Sequence, residues 1–283
     1  MSNEMVFGVV GATGQQGGAT VAALLNADAR VRALVRDVDS SKAHQLAGSG
    51  AKVARLDLDR EETLAGALAG IDGLFVMTTF TGASSTEGEV AHGRAIGDAA
   101  VAAGVNRVVY SSVGGAERHT GIPHFESKRR IEEHLEGLGL RTTFLRPTFF
   151  MENFLSFSQP RREDGTLVVR LPLPSATPLQ MVAVRDVGSA AARALLTPDD
   201  VPDGAVELVG DELTGQQIAA AFAAAEGMPA RYEPIPIEAL AADADQQAMF
   251  SWFARLPAYR GDFELSRRLV PDLLDLRGWL AQR

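Results

Sequence analysis

The chain has no cysteine in its 283 residues. That excludes disulfides, thiolate catalysis, cysteine-ligated zinc and thiol-based redox sensing, so any response to redox state must come through a bound cofactor. An excess of basic residues is missing too: 27 lysines and arginines stand against 36 aspartates and glutamates, a formal net charge of −9. Such a surface repels phosphate backbones and anionic lipid, which argues against direct contact with nucleic acid or a membrane surface. No apolar run approaches the roughly 20 residues that a bilayer span requires. The first strand begins a few residues after Met1 and leaves no room for a signal peptide, so a cytoplasmic address is expected by elimination. The five histidines show no H-E-x-x-H spacing and no metal site is expected; a G-x-S-x-G elbow, the mark of many serine hydrolases, is also missing. The remaining composition, 46% hydrophobic and 22% charged, is that of a globular protein with enough chain for a full core.

What is present begins at residues 6–17, Val6-Phe7-Gly8-Val9-Val10-Gly11-Ala12-Thr13-Gly14-Gln15-Gln16-Gly17. An apolar strand runs into a turn with glycines at G-x-x-G-x-x-G spacing, and Thr20-Val21-Ala22-Ala23-Leu24-Leu25 continues it as a helix that packs on a sheet. A pyrophosphate needs backbone N–H groups at a helix N-terminus with no Cβ in the way, and this stretch supplies both. Gly11 suits the tight turn off the strand, Gly14 the close approach to phosphate, and Gly17 the packing of helix on strand.

Strands alternate with helices from there on: 30–36, 51–58, 73–78, 105–112 and 142–146 read as strands, which predicts an α/β protein with a doubly wound parallel sheet. Arg36 closes the second strand, where an arginine suits the 2′-phosphate of NADP and an acidic residue the 2′-hydroxyl of NAD; Asp37 follows at once and keeps NAD(H) in play. Asp57 ends the third strand, placed for an adenine amino group or for a turn. Capping boxes are expected at Asp59–Glu62 and at Thr86–Glu89, the second opening a helix to Gly104 with Val90, Ile96 and Val101 buried. Residues 81–85, small and polar, are expected to form a loop over the sheet edge. Pro123 opens a helix whose face carries His124, Lys128, Ile131, Leu135 and Leu138. After Pro147 the alternation weakens, and 155–181, with its prolines and many polar residues, reads as an inserted segment. A helix follows near Asp186, another is capped by Thr214 and ends at Gly227, and two more helical stretches complete a smaller mixed C-terminal lobe. The boundaries drawn are 1–154 for the nucleotide-binding domain, its core strands reaching into 179–196, and 155–283 for the lobe.

Gly11-Ala12-Thr13-Gly14-Gln15-Gln16-Gly17, Leu34-Val35-Arg36, His124-Phe125-Glu126-Ser127-Lys128 and Arg146-Pro147-Thr148-Phe149-Phe150-Met151-Glu152-Asn153-Phe154 together resemble the NmrA-like branch of the atypical short-chain dehydrogenases. Arg260-Gly261-Asp262-Phe263-Glu264-Leu265-Ser266 and Trp279-Leu280 are similar to the C-terminal lobe of redox-sensing members of that family. The resemblance implies a Rossmann domain that binds NADP(H). Gly11, Thr13, Gly14, Gln15, Gln16 and Gly17 would hold the pyrophosphate, Arg36 the 2′-phosphate, and Asp57 with Leu58 the adenine. Thr78, Thr79 and Phe80 would flank the middle of the cofactor and Lys128 the nicotinamide ribose. Dehydrogenases of the wider superfamily place a tyrosine four residues before this lysine and a serine upstream. Ser111 and Ser112 fit the latter, but the tyrosine position holds His124, and no Tyr-x-x-x-Lys occurs anywhere in the chain. His124 and Lys128 are the catalytic candidates, with His124 a poorer proton donor than the residue it replaces. Two functions follow as expectations: an NADP(H)-binding redox sensor with little turnover, or an NAD(P)H-dependent reductase of small carbonyl or quinone-like compounds, with Phe149-Phe150-Met151 lining its pocket. The expected partners are a dinucleotide and either a small-molecule substrate or a regulatory protein, with the chain a monomer or homodimer.

Overall fold

The computed structural model describes residues 5–80, 85–202 and 204–283; the loop expected over the sheet edge lies, for residues 81–84, outside them. In chain order the regular elements are β1 (Val6–Val10), α1 (Gln15–Asn26), β2 (Arg30–Val35), α2 (Ser41–Gly48), β3 (Lys52–Arg55), α3 (Leu64–Leu68), β4 (Gly73–Met77), α4 (Thr86–Ala102), β5 (Arg107–Ser111), α5 (Pro123–Gly137), β6 (Arg141–Pro147) and β7 (Phe149–Phe150). They continue with β8 (Arg161–Glu163), β9 (Thr166–Leu171), β10 (Pro178–Val182), α6 (Val184–Leu196), β11 (Gly204–Leu208), β12 (Asp211–Thr214), α7 (Gly215–Glu226), β13 (Ala230–Pro234), α8 (Ala244–Phe253), α9 (Phe263–Leu269) and α10 (Leu276–Leu280).

The chain divides into two units that interleave along the sequence. The first comprises 1–113, 126–146 and 187–206, and the second 114–125, 147–186 and 207–283. The first unit holds a seven-stranded sheet in the order β11-β6-β5-β4-β1-β2-β3. The pairs from β6 through β3 are all parallel. This is a Rossmann-type doubly wound sheet. The chain leaves β1 toward β2 and β3, then returns on the other side to β4, so the winding reverses between β1 and β4. Crevices outside the carboxyl ends of strands at such a reversal are where ligands bind in open α/β sheets.

Strand burial explains the apolar runs: Val9, Phe75 and Leu74 are fully enclosed because helices cover both faces. On α4 the buried stripe is Glu89, Val90, Gly93, Ile96, Gly97 and Ala100, and Val101 is exposed, contrary to expectation. The small residues let α5 approach closely: a Cβ on Gly93 would meet the Ile131 side chain at 2.6 Å. The box expected at Asp59 does not form. A 3₁₀ turn over Glu61–Thr63 leads into α3 with no side-chain cap, Thr63 Oγ1 donates to backbone carbonyls, and Asp59 instead meets His92 Nε2 at 2.8 Å. At α4 the cap is Ser85, which accepts from Gly88 N, one residue earlier than expected.

The second unit contains two three-stranded sheets, β12-β10-β7 and β13-β9-β8. The segment read as an insertion, 155–181, supplies β8, β9 and all but the last residue of β10, and its prolines flank these strands or, as Pro178, begin one. The Thr214 capping box on α7 forms with Gln217 as expected. Three helices, not two, follow β13. The core of this unit is aromatic: Phe149 meets Phe154, Phe250 and Phe253 edge-on with ring centroids 5.9–6.4 Å apart.

Candidate functional site

The turn after β1 is built by its glycines. Gly11 has φ +67°, the left-handed region that residues with a Cβ avoid. Its carbonyl accepts from Gly14 N at 2.9 Å, and Gly14 in extended conformation starts α1 with no side-chain cap and no acidic residue in the first turn. The first-turn N–H groups therefore keep their partial positive charge for an outside partner. A Cβ on Gly17 would fall on the Gly11 carbonyl and within 3.0 Å of Ala12 Cα. Gly17 thus lets α1 sit against the turn itself, a tighter version of the expected helix-on-strand contact. Thr13 is half-buried and Gln15 exposed. Gln16 reaches across to the end of β5, where its Oε1 accepts from Ser111 Oγ at 2.5 Å.

Arg36 follows β2, exposed, and its guanidinium has no partner among the described residues. Asp37, its acidic neighbour, is committed to its own turn, its Oδ1 accepting from Asp39 N at 3.0 Å. Asp57 takes the turn role as well, accepting from Asp59 N at 3.2 Å, and Leu58 packs against the hydrophobic core.

The end of β4 carries a closed polar network. Lys128 Nζ donates to the Thr78 carbonyl at 2.9 Å and to Thr78 Oγ1 at 3.2 Å, and pairs with Glu89 Oε1 at 2.9 Å. An ammonium has three N–H donors, so this geometry engages all of them. Thr78 Oγ1 also lies 3.1 Å from Glu89 Oε1 and from the Tyr110 hydroxyl, and Ser127 Oγ donates to Glu89 Oε2 at 2.5 Å. The Lys128 ammonium stands 5.4 Å from the centre of the Tyr110 ring. Lysine and tyrosine are thus neighbours, although the tyrosine comes from β5 and not from α5. It is a poor proton donor to a substrate: Tyr110 is fully enclosed, and burial followed by the Glu89 charge pushes its phenol well above the ordinary range. Thr79 is exposed and Phe80 half-buried. Ser112, next to Ser111, has a buried Oγ with no hydrogen-bond partner among the described residues. Buried polar atoms rarely go unpaired, and this one directly follows the carboxyl end of β5.

His124 belongs to the second unit and is gripped by Asp245, which approaches His124 Nδ1 at 2.5 Å and accepts from His124 N at 3.0 Å. Burial raises the Asp245 carboxyl, but the bonds and charge of His124 outweigh it and hold the group below its usual value. Sequence spacing had no means of finding Asp245, 121 residues away. Phe149 and Met151 are core residues, and neither lines the cavity of about 580 Å³ in the second unit. That cavity is lined instead by Leu173, Pro234, Ile235, Ile237, Phe250 and other apolar neighbours. Among the described residues no group of three or more His, Asp or Glu is placed to hold a metal ion, and no helix is long and apolar enough to cross a membrane.

Residues 4–275 match the NmrA-like family. The chain belongs to that family. Among curated proteins, this NmrA-like chain is 33% identical over 231 residues to the NAD(P)H azoreductase of Xenophilus azovorans, covering 81% of this chain and 77% of the azoreductase. Among solved structures it matches the NADPH-dependent quinone oxidoreductase of Escherichia coli in complex with NADPH, at TM-score 0.81 and 23% identity over 98% of this chain and 99% of that one. It also matches NmrA, a negative transcriptional regulator, in complex with NAD at TM-score 0.83 and with NADP at 0.81, each at 22% identity over 99% of this chain and 95% of that one. At these identities the structural likenesses speak for the NmrA-like fold. The relatives divide between reductases and a regulator.

Proposed function

We propose that this NmrA-like chain binds NADP(H) at the carboxyl edge of its parallel sheet and works as a redox-state sensor with little turnover of its own. The residues present fit the dinucleotide: the turn has positive φ at Gly11 and no room for a Cβ at Gly17, the α1 N-terminus has no side-chain cap, and Ser112 Oγ lacks a partner among the described residues. Gly11, Thr13, Gly14, Gln15, Gln16 and Gly17 would hold the pyrophosphate, Arg36 the 2′-phosphate, and Asp57 and Leu58 the adenine. Thr78, Thr79 and Phe80 would flank the middle of the molecule, with Lys128 near the nicotinamide ribose. When bound, the dinucleotide supplies or accepts a hydride.

The observation that carries the sensing reading is the engagement of all three Lys128 protons inside the protein, with no tyrosine four residues before it. The described network holds a lysine in place without presenting an acid to a carbonyl oxygen. The reductase reading has its own support in the identity with the azoreductase, since acceptors that take a proton from water need no enzyme acid. An assay of NADPH oxidation against quinones, azo dyes, aldehydes and enones separates them. Tight binding with nothing consumed is the expected result. Saturable turnover that disappears in Lys128→Ala overturns sensing in favour of reduction.

Arg36 supplies a second expectation. Its guanidinium is unpartnered among the described residues while Asp37 is engaged, so NADPH should bind more tightly than NADH by roughly ten- to hundredfold. Arg36→Ala removes most of that gap in a fluorescence titration with the two dinucleotides. Equal affinities in the wild type would show that Arg36 does not select the cofactor.

A further inference from the structure

We propose that Glu89, acting through Lys128, sets the balance with which the site accepts the oxidised and reduced forms of the dinucleotide; the proposal rests on the NADP(H)-binding reading above. Glu89 is 0% exposed, one turn into α4, on the stripe that also carries Gly93, Ile96 and Gly97. A carboxylate in that position is retained only with partners, and it has three: Lys128, Thr78 and Ser127. It is also the anion that pairs with Lys128. The other buried carboxylate nearby, Glu132, is held by Arg146 at 2.6 and 2.9 Å and by Arg129 at 2.9 Å. The cation at the end of β4 is thus cancelled by one residue.

Its place in the sheet gives that cancellation a consequence. The glycine turn after β1 and Arg36 after β2 lie on one side of the winding reversal, and Thr78, Tyr110 and Lys128 on the other. A dinucleotide spanning the reversal puts its adenosine half on the first side and its nicotinamide half on the second. The two redox forms carry the same phosphates and adenine and differ in the ring: the oxidised nicotinamide is a cation and the reduced one is neutral. Contacts at the cradle cannot tell them apart, whereas net charge at the ends of β4 and β5 can. An unpaired Lys128 ammonium repels the oxidised ring and leaves the reduced ring untouched. With Glu89 ionised beside it, the repulsion is largely removed. Glu89 is a positioning residue in this account: it fixes the ammonium on the Thr78 carbonyl and neutralises it, without reaching the cofactor.

The test is the ratio of dissociation constants, Kd(NADP⁺)/Kd(NADPH), measured by calorimetry for wild type, Glu89→Gln, Glu89→Asp and the double variant Glu89→Gln/Lys128→Met, with folding checked by circular dichroism. Glu89→Gln keeps the shape and deletes the charge, and the ratio is expected to rise about tenfold, chiefly through weaker NADP⁺ binding. Glu89→Asp retains the charge and leaves the ratio within about twofold of wild type, even where stability falls. The double variant carries no charge at either position and restores the ratio. A purely structural role for Glu89 weakens both forms alike, so an unchanged ratio in folded Glu89→Gln overturns the proposal while the cofactor reading stands. If Glu89→Gln does not fold, Lys128→Met carries the test in the opposite sense: the remaining carboxylate favours the cationic ring, and the ratio falls or the proposal fails. A wild type that binds neither form removes the cofactor reading itself, and the proposal with it.

Discussion

Gly17→Ala is expected to weaken NADPH binding by at least about a hundredfold and to lower the unfolding midpoint. The reason is where the added methyl must go. Its nearest neighbours are the Gly11 carbonyl oxygen and carbon and Ala12 Cα, all backbone atoms of the turn, so no side chain can rotate away. Relief comes from sliding α1 off the turn, and a shift of roughly an ångström spoils the alignment of first-turn N–H groups on a phosphate. Stability falls by less than the clash alone would cost. In a helix, alanine is favoured over glycine by about 0.5–1 kcal/mol, which offsets part of the local clash. Gly66→Ala is the matched control: it lies in α3 with nothing within 4 Å of its added Cβ, and should leave binding unchanged and raise stability slightly. Fluorescence titration and thermal melting of the two variants check both halves. Binding of Gly17→Ala within threefold of wild type would sink the assignment of this turn as the phosphate cradle.

That turn was legible in the sequence because its geometry is local. A turn needing positive φ and a helix start needing close approach both leave glycines at fixed offsets, and Gly11 and Gly17 meet those needs through their own backbone neighbours. Strand positions were legible for a similar reason, since a parallel sheet covered on both faces demands continuous apolar runs. The polar network at Lys128 was not. Glu89 sits three residues after Thr86, the spacing of a capping box, and local pattern assigned it there. Its phase with Gly93, Ile96, Gly97 and Ala100 places it on the buried face, a signal that was present but is overridden by the expectation that glutamate faces water. Asp57 shows the same competition decided locally: with its Oδ1 on a backbone N–H two residues ahead, it is a turn-former first. The strands within 155–181 were hard to see because they are short and the prolines lie in the connections around them or, as Pro178, at a first strand position. His124 was legible as a helix residue, but its carboxylate partner comes from an element 121 residues later, and no periodicity carries that information.

The second large effect is expected at the other buried carboxylate, where Glu132→Gln should lower the unfolding free energy by about 3–5 kcal/mol. Glu132 is fully buried on α5, and Arg146 at the end of β6 grips it with two bonds, Nε at 2.9 Å to one oxygen and the second at 2.6 Å to the other. This two-pronged geometry is what makes a buried guanidinium tolerable, and Gln offers one acceptor where the carboxylate offered two. The loss is larger than that of a surface pair because Arg146 is only 8% exposed and Glu132 is fully buried. Arg129, the other cation on Glu132, has Glu133 and Glu136 as alternatives, so it neither suffers nor compensates much. Arg146→Lys should fall between wild type and Glu132→Gln, since it preserves charge and loses the fork. Replacing both residues with leucine should recover much of the loss, because well-packed apolar residues often match a buried ion pair in stability. Glu132 stands one helical turn beyond Lys128, so this clamp also fixes the segment of α5 from which Lys128 reaches Thr78. Denaturant melts of the three variants decide it: a Glu132→Gln loss below about 1 kcal/mol means that water enters the pair, and the clamp is then not what holds α5 on the sheet.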